Sequence, residues 1–145
     1  MLFKEEVFPV CAPALAHGEY PIRTPQDLKH HTLLHLDWNP SSSTWPDWSD
    51  WLKAAGAADV DSTRGVWFNH MSMAIHAAAQ GQGVALTSLA IAADELAAGR
   101  LIAPFTTSVH TPFGYYFLCR PSQSASPRIA ALRDFLVAEA ALSAA

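Results

Sequence analysis

The chain has 145 residues, half of them hydrophobic, with a formal net charge of −4 and a sequence pI near 5.9, which is apolar material for one ordinary core or two small lobes. Its nine Lys and Arg are scattered rather than striped, so no basic field is present to attract a phosphate backbone. No run approaches the roughly 18 apolar residues that span a bilayer, and the opening MLFKEE carries acids where a secretory leader carries bases, so the expectation is a cytoplasmic location and no membrane partner.

In chain order, residues 5–12 read as a strand closed by Pro13. RTPQDLKHH opens a helix with Thr24 as N-cap, Pro25 in the first turn and Asp27 at the positive end. TLLHLD follows as a strand. WNPSSSTWPDWSDWLKAAG passes from a Ser-rich turn to a helix started by Thr44-Trp45-Pro46-Asp47. Its Trp48, Trp51 and Leu52 share one face, which is read as core, and Gly56 ends it.

TRGVWFN is the next strand, NHMSMAIHAAAQ a helix with Asn69 as N-cap, and GVALTS another strand. The two glycines between the helix and GVALTS follow a helix and precede a strand, the reverse of a phosphate-binding loop. Gly81 is therefore read as the left-handed helix stop and Gly83 as a close turn into the strand. SLAIAADELAAGR is helical up to Gly99, LIAPF and GYYFLCR are strands, and the last helix turns Ile129, Leu132, Phe135 and Leu136 inward. Strands alternating with helices predict an α/β domain with a largely parallel sheet.

A nucleophile elbow, a P-loop and a zincin helix are all missing from the sequence, which argues against an enzyme. His31 and His35 are four apart, but on a strand that separates them by about 13 Å, so no metal ligation is expected. Cys11 and Cys119 lie in apolar strand-like runs without CxxC spacing and read as buried free thiols. No cofactor is expected.

Seven phrases stand in order over nearly the whole chain: EEVFPVCAPAL, TPQDLKHHTLLH, the W..WL...G helix, AAAQGQGVAL, DELAAGRLIAPF, YYFLCRP and the closing P.I.ALRDFLVAEA. Together they resemble the effector-binding domain of LysR-type transcriptional regulators, and PVC-x-P with the Trp-rich helix is most similar to the glycine-cleavage-activator branch. The resemblance implies a type II periplasmic-binding-protein-like fold, with the second lobe complete plus the C-terminal strand and helix of the first. Residues 1–8 would be a crossover strand, 9–104 the second regulatory lobe and 105–145 the C-terminal part of the first. It further implies a small-molecule effector between two lobes and a homo-oligomer, dimer or higher. DNA would be bound only through an N-terminal winged helix-turn-helix that this chain does not contain. A solute-binding protein of the same fold is the alternative.

Ligands of open α/β sheets sit outside the carboxyl ends of strands. Two such ends are apparent: Cys11-Ala12-Pro13, and the loop Trp67-Phe68-Asn69-His70-Met71. In the family both loops line the cleft, and Ala12 stands where Ser or Thr is common. One of Trp67 and Phe68 should be core and the other should face the cleft, in an order that strand alternation leaves open. The start of the helix after Asn69 favours a small anion, a carboxylate above all.

Overall fold

A computed structural model describes residues 1–37 and 45–143. Its elements are β1 (Phe3–Val10), α1 (Pro13–Ala16), a 3-10 helix (Pro25–His30), β2 (Leu33–Leu36), α2 (Trp48–Ala54), β3 (Val66–Phe68) and α3 (Met71–Ala79). β4 (Val84–Ser88), α4 (Leu89–Ala97), β5 (Val109–Tyr115), a second 3-10 turn (Pro121–Gln123) and α5 (Pro127–Ser143) complete the chain. The expected Ser-rich turn and Thr44 lie outside the described residues. Two compact units divide the chain, one made of Met1–Glu5 with the residues from Pro112 onward, the other of Glu6–Thr111.

The strand order is β3-β2-β4-β1-β5. β2 runs parallel to β3 and to β4, but β1 is antiparallel to β4, with Val7 opposite Ser88 and Val10 opposite Ala85. The sheet is therefore mixed rather than largely parallel. Strand–helix alternation dictates direction only for strands joined by one crossover, and the path from β1 to β4 runs through several elements. β4 has neighbours on both sides and is buried along its whole length, its apolar Val84-Ala85-Leu86 followed by the buried hydroxyl residues Thr87 and Ser88.

Alternation along the strands divides the core of the larger unit. Val7, Leu33, Val84 and Leu86 join Trp48, Trp51 and Leu52 of α2 on one side of the sheet, while Val10, Leu34 and Ala85 join Ile75, Ala77 and Ala78 of α3 on the other. The aromatic face of α2 is core, as its spacing predicts. α3 ends as its glycine predicts: Gly81 has φ 74°, its N–H donates to Ala78 O, and the Gln82 N–H donates to Ala77 O at 3.0 Å. Paired bonds of this kind satisfy the last carbonyls of a helix. Gly83 has Thr32 O only 2.4 Å from where a Cβ would stand.

Three expectations are corrected. LIAPF forms no strand; Ile102 makes a single bridge to Cys11, and the strand lies instead at Val109–Tyr115. Pro112 lies within β5, an edge strand, where a residue without an N–H is tolerated. Cys119 falls beyond that strand and is exposed, whereas Cys11 is buried, which pushes its thiol up to about 11. In the smaller unit, Leu132 and Phe135 of α5 are exposed, and Ile129 and Leu136 are half-buried rather than inward. Periodicity assigns a face to a helix but does not supply a surface to cover it.

The start of the first 3-10 helix yields a pH-dependent expectation. The Asp27 carboxylate accepts from the Thr24 N–H at 2.7 Å, the Arg23 N–H at 3.0 Å and the Thr24 hydroxyl at 3.1 Å. These donors, the Thr24 N–H foremost, hold it below the usual carboxylate range. Asp27→Ala should cost about 1 kcal/mol at neutral pH, the ordinary value of a helix-start carboxylate. A lowered pKa places this stabilisation above the unfolded-state value and removes it as pH falls through the folded one. Urea denaturation of parent and variant should therefore show a gap at neutral pH that closes in acid; a constant gap would assign the loss to something other than the charge.

Candidate functional site

The parallel strands β2 and β3 end side by side. Their register pairs His35 with Trp67 and Leu36 with Phe68, and the Asp37 N–H closes the pair by donating to Phe68 O at 2.7 Å. Register neighbours share a face, so the His35 and Trp67 rings stack, with centroids 4.3 Å apart and planes 18° off parallel. Phe68, one residue on, turns to the opposite face and packs on the core of Val10, Leu34 and Ile75. Trp67 is thus the outward member of the pair, 59% exposed, over a buried His35. The His35 Nε2–H donates to Arg64 O at 3.0 Å; because a carbonyl can only accept, this bond fixes the ring proton on Nε2.

Beside this pair is a cavity of about 700 Å³ whose walls include His35 and Asp37 from β2 and its exit, Trp45 and Asp47 from the approach to α2, Trp67 from β3 and Met71 from α3. It opens at the carboxyl ends of the parallel strands, where open α/β sheets bind their ligands. Asp47 caps α2 through Oδ1, which accepts the Asp50 N–H at 2.9 Å.

α3 starts one residue later than its sequence suggests. Its N-cap is His70, in extended conformation, not Asn69, and neither that cap nor Asn69 makes a side-chain capping bond. Local sequence places a helix boundary only to within a residue or two. Asn69 and His70 are both exposed; of the first-turn N–H groups that follow, that of Met73 donates to His70 O at 3.1 Å, while those of Met71 and Ser72 have no intrahelical acceptor.

The structure brings Trp67 and Met71 to the cavity and sets Asn69 and His70 at the neighbouring helix start. It does not bring Cys11, Ala12 and Pro13 there. Because β1 is antiparallel, its carboxyl end lies beside the amino end of β4, at the other end of the sheet. Cys11 and Ala12 are buried, and the Cys11 N–H and carbonyl are both bonded to Ile102, at 3.0 and 2.9 Å. Sequence reasoning missed His35, Asp37, Trp45 and Asp47. The rule about strand ends would have found Asp37, had it been applied to β2 instead of β1.

A mixed sheet flanked by helices, with a ligand-sized cavity at the carboxyl ends of parallel strands, defines a periplasmic-binding-protein-like α/β domain. Residues 1–141 match the LysR substrate binding domain. The chain belongs to that family. It is 38% identical over 140 residues to the glycine cleavage system transcriptional activator of Escherichia coli strain K12, covering 97% of this chain and 44% of that protein. It is 34% identical to the HTH-type transcriptional activator AmpR of Pseudomonas aeruginosa, covering 99% and 45%. The chain thus spans less than half the length of these relatives, which are transcriptional regulators. The effector domain of Pseudomonas aeruginosa AmpR superposes with a TM-score of 0.63 at 29% identity, covering 99% of this chain and 65% of that one. The effector-binding domain of Citrobacter freundii AmpR has the same fold, with a TM-score of 0.66 at 21% identity, covering 96% and 65%.

Proposed function

We propose that the chain senses a small-molecule effector for a cytoplasmic LysR-type regulator, acting through binding and not through catalysis. The observation that carries the reading is the cavity at the joined ends of β2 and β3, walled by an exposed Trp67. An anionic group of the effector sits at the start of α3, where free N–H groups and the helix dipole favour negative charge, with Trp67 and Met71 beside it and Asn69 and His70 at the rim. Phe68 supports this wall from the core side. Cys11, Ala12 and Pro13 would meet an effector only at the far end of the sheet.

In this reading residues 1–8 are a crossover strand, 9–104 the second lobe and 105–145 the closing part of the first. The regulator acts as a homo-oligomer, and DNA is contacted by an N-terminal winged helix-turn-helix outside this chain. The names of the relatives, all regulators, support it.

The test is a titration of the chain with small carboxylates, such as butyrate, followed by amide NMR. Shifts should gather at Met71, Ser72 and the Trp67 indole. The helix-start interaction is worth about 0.3–2 kcal/mol, so His70→Ala and Asn69→Ala should change affinity by a few fold, while Ser122→Ala, on the second 3-10 turn, should not. Shifts gathered at Cys11–Pro13 instead would move the effector site to the other end of the sheet.

A further inference from the structure

The cavity walls carry more information about the ligand than the helix start does. Of its described lining residues, Asp37 and Asp47 are carboxylates, His35 is the one basic group, and none is Lys or Arg. The Asp37 carboxylate is exposed and makes no hydrogen bond or ion pair among the described residues. Asp47 has one oxygen engaged by its own helix start. His35 has its Nε2 proton given to Arg64 O. The described wall thus carries two carboxylates and no Lys or Arg, beside the neutral hydroxyls of Ser49, Ser62 and Thr63.

The apolar part of the wall is aromatic. Trp45 and Trp67 both line the cavity. Trp67 is held flat against His35 on one face and is 59% exposed. A large ring anchored on one side and open on the other presents the negative face of its π system, which attracts ammonium and guanidinium groups, tryptophan most strongly of the aromatic residues.

We propose that the effector carries a primary ammonium or guanidinium group, seated on the open face of Trp67 and paired with the Asp37 carboxylate. This rests on the cavity being the effector site, and it adds a cation to the anion assigned to the start of α3. A ligand lacking the cation would leave Asp37 without an ionic partner among the described residues.

The experiment compares butylammonium with butanol, which share an alkyl chain and differ in charge, on the 145-residue chain. The readout is the indole N–H resonance of Trp67, assigned by its disappearance in Trp67→Phe. Butylammonium should shift that resonance at concentrations where butanol does not. Asp37→Asn should weaken butylammonium about ten-fold, the usual scale of a lost charge-assisted bond, with an unchanged melting curve showing that the fold is intact. Trp67→Leu, followed by the Met71 amide, should weaken it about five-fold or more. If butanol shifts Trp67 as well as butylammonium does, the cavity is a binding site but the cationic assignment is overturned. If neither probe affects Trp67 or Met71, the cavity is not the effector site and both readings fall.

Discussion

Gly65→Ala is expected to lower the stability of the larger unit by about 3–5 kcal/mol, combining backbone strain with overpacking. Gly65 precedes β3 with φ 141°, a conformation that L side chains rarely adopt, and a Cβ there would lie 1.9 Å from Leu33 O. That oxygen belongs to β2, whose Leu33 is also opposite Val84 of β4, so it cannot retreat without loosening the centre of the sheet. Gly56→Ala is the matched control. It too has positive φ, 71°, but its Cβ would meet nothing within 4 Å, so it should cost only the conformational term, about 1–2 kcal/mol. Urea unfolding followed by tryptophan fluorescence measures both. Equal losses would show that the contact with Leu33 is relieved at no cost and that only the φ angle matters.

Trp51→Ala should cost about 3–5 kcal/mol, the range for removing a fully buried large aromatic. Trp51 is completely buried, edge-on to Trp48 at 5.9 Å and against Phe105 at 5.2 Å. Its indole N–H donates to Thr107 O at 3.0 Å. Trp51→Phe keeps most of the packing but deprives that carbonyl of its donor, a loss of about 1–3 kcal/mol. The expected order is parent, phenylalanine, alanine. A phenylalanine variant as stable as the parent would mean that Thr107 finds water at no cost and that packing alone holds Phe105 and Thr107 against α2.

What could be read from the residues alone follows from the range of the forces involved. The stop at Gly81, the start at Thr24 and the buried face of Trp48, Trp51 and Leu52 depend on neighbours a few positions away, and each stands as its local chemistry dictates. The direction of β1 depends on where distant β4 lies, and alternation of strands and helices carries no record of that. The same gap separates three of the eight expected site residues, Cys11–Pro13, from the cavity. Cys11–Pro13 follow a strand end, but the end of an antiparallel strand, whereas Trp67 and Met71 lie on and just after a parallel one. His35 looked like an ordinary strand histidine, and only the register that sets it beside Trp67 makes it part of a wall. The outward Leu132 and Phe135 of α5 show the converse, a periodic apolar face without a covering surface among the described residues.

The antiparallel seating of β1 against β4 also orders events in time. β1 precedes β4 in the chain, and its partner on the inner side, Ser88 opposite Val7, follows only after β2, α2, β3 and α3 have all been synthesised. The central strand of the sheet is thus later in the chain than both of the strands it lies between, β1 and β2. Pairings between segments so remote in the chain make folding slow, because the ends of a long loop must meet before any contact rewards them. Until then the backbone edge of β1 that faces β4 has no strand to pair with, and unpaired edges of this kind make partly folded chains prone to aggregate.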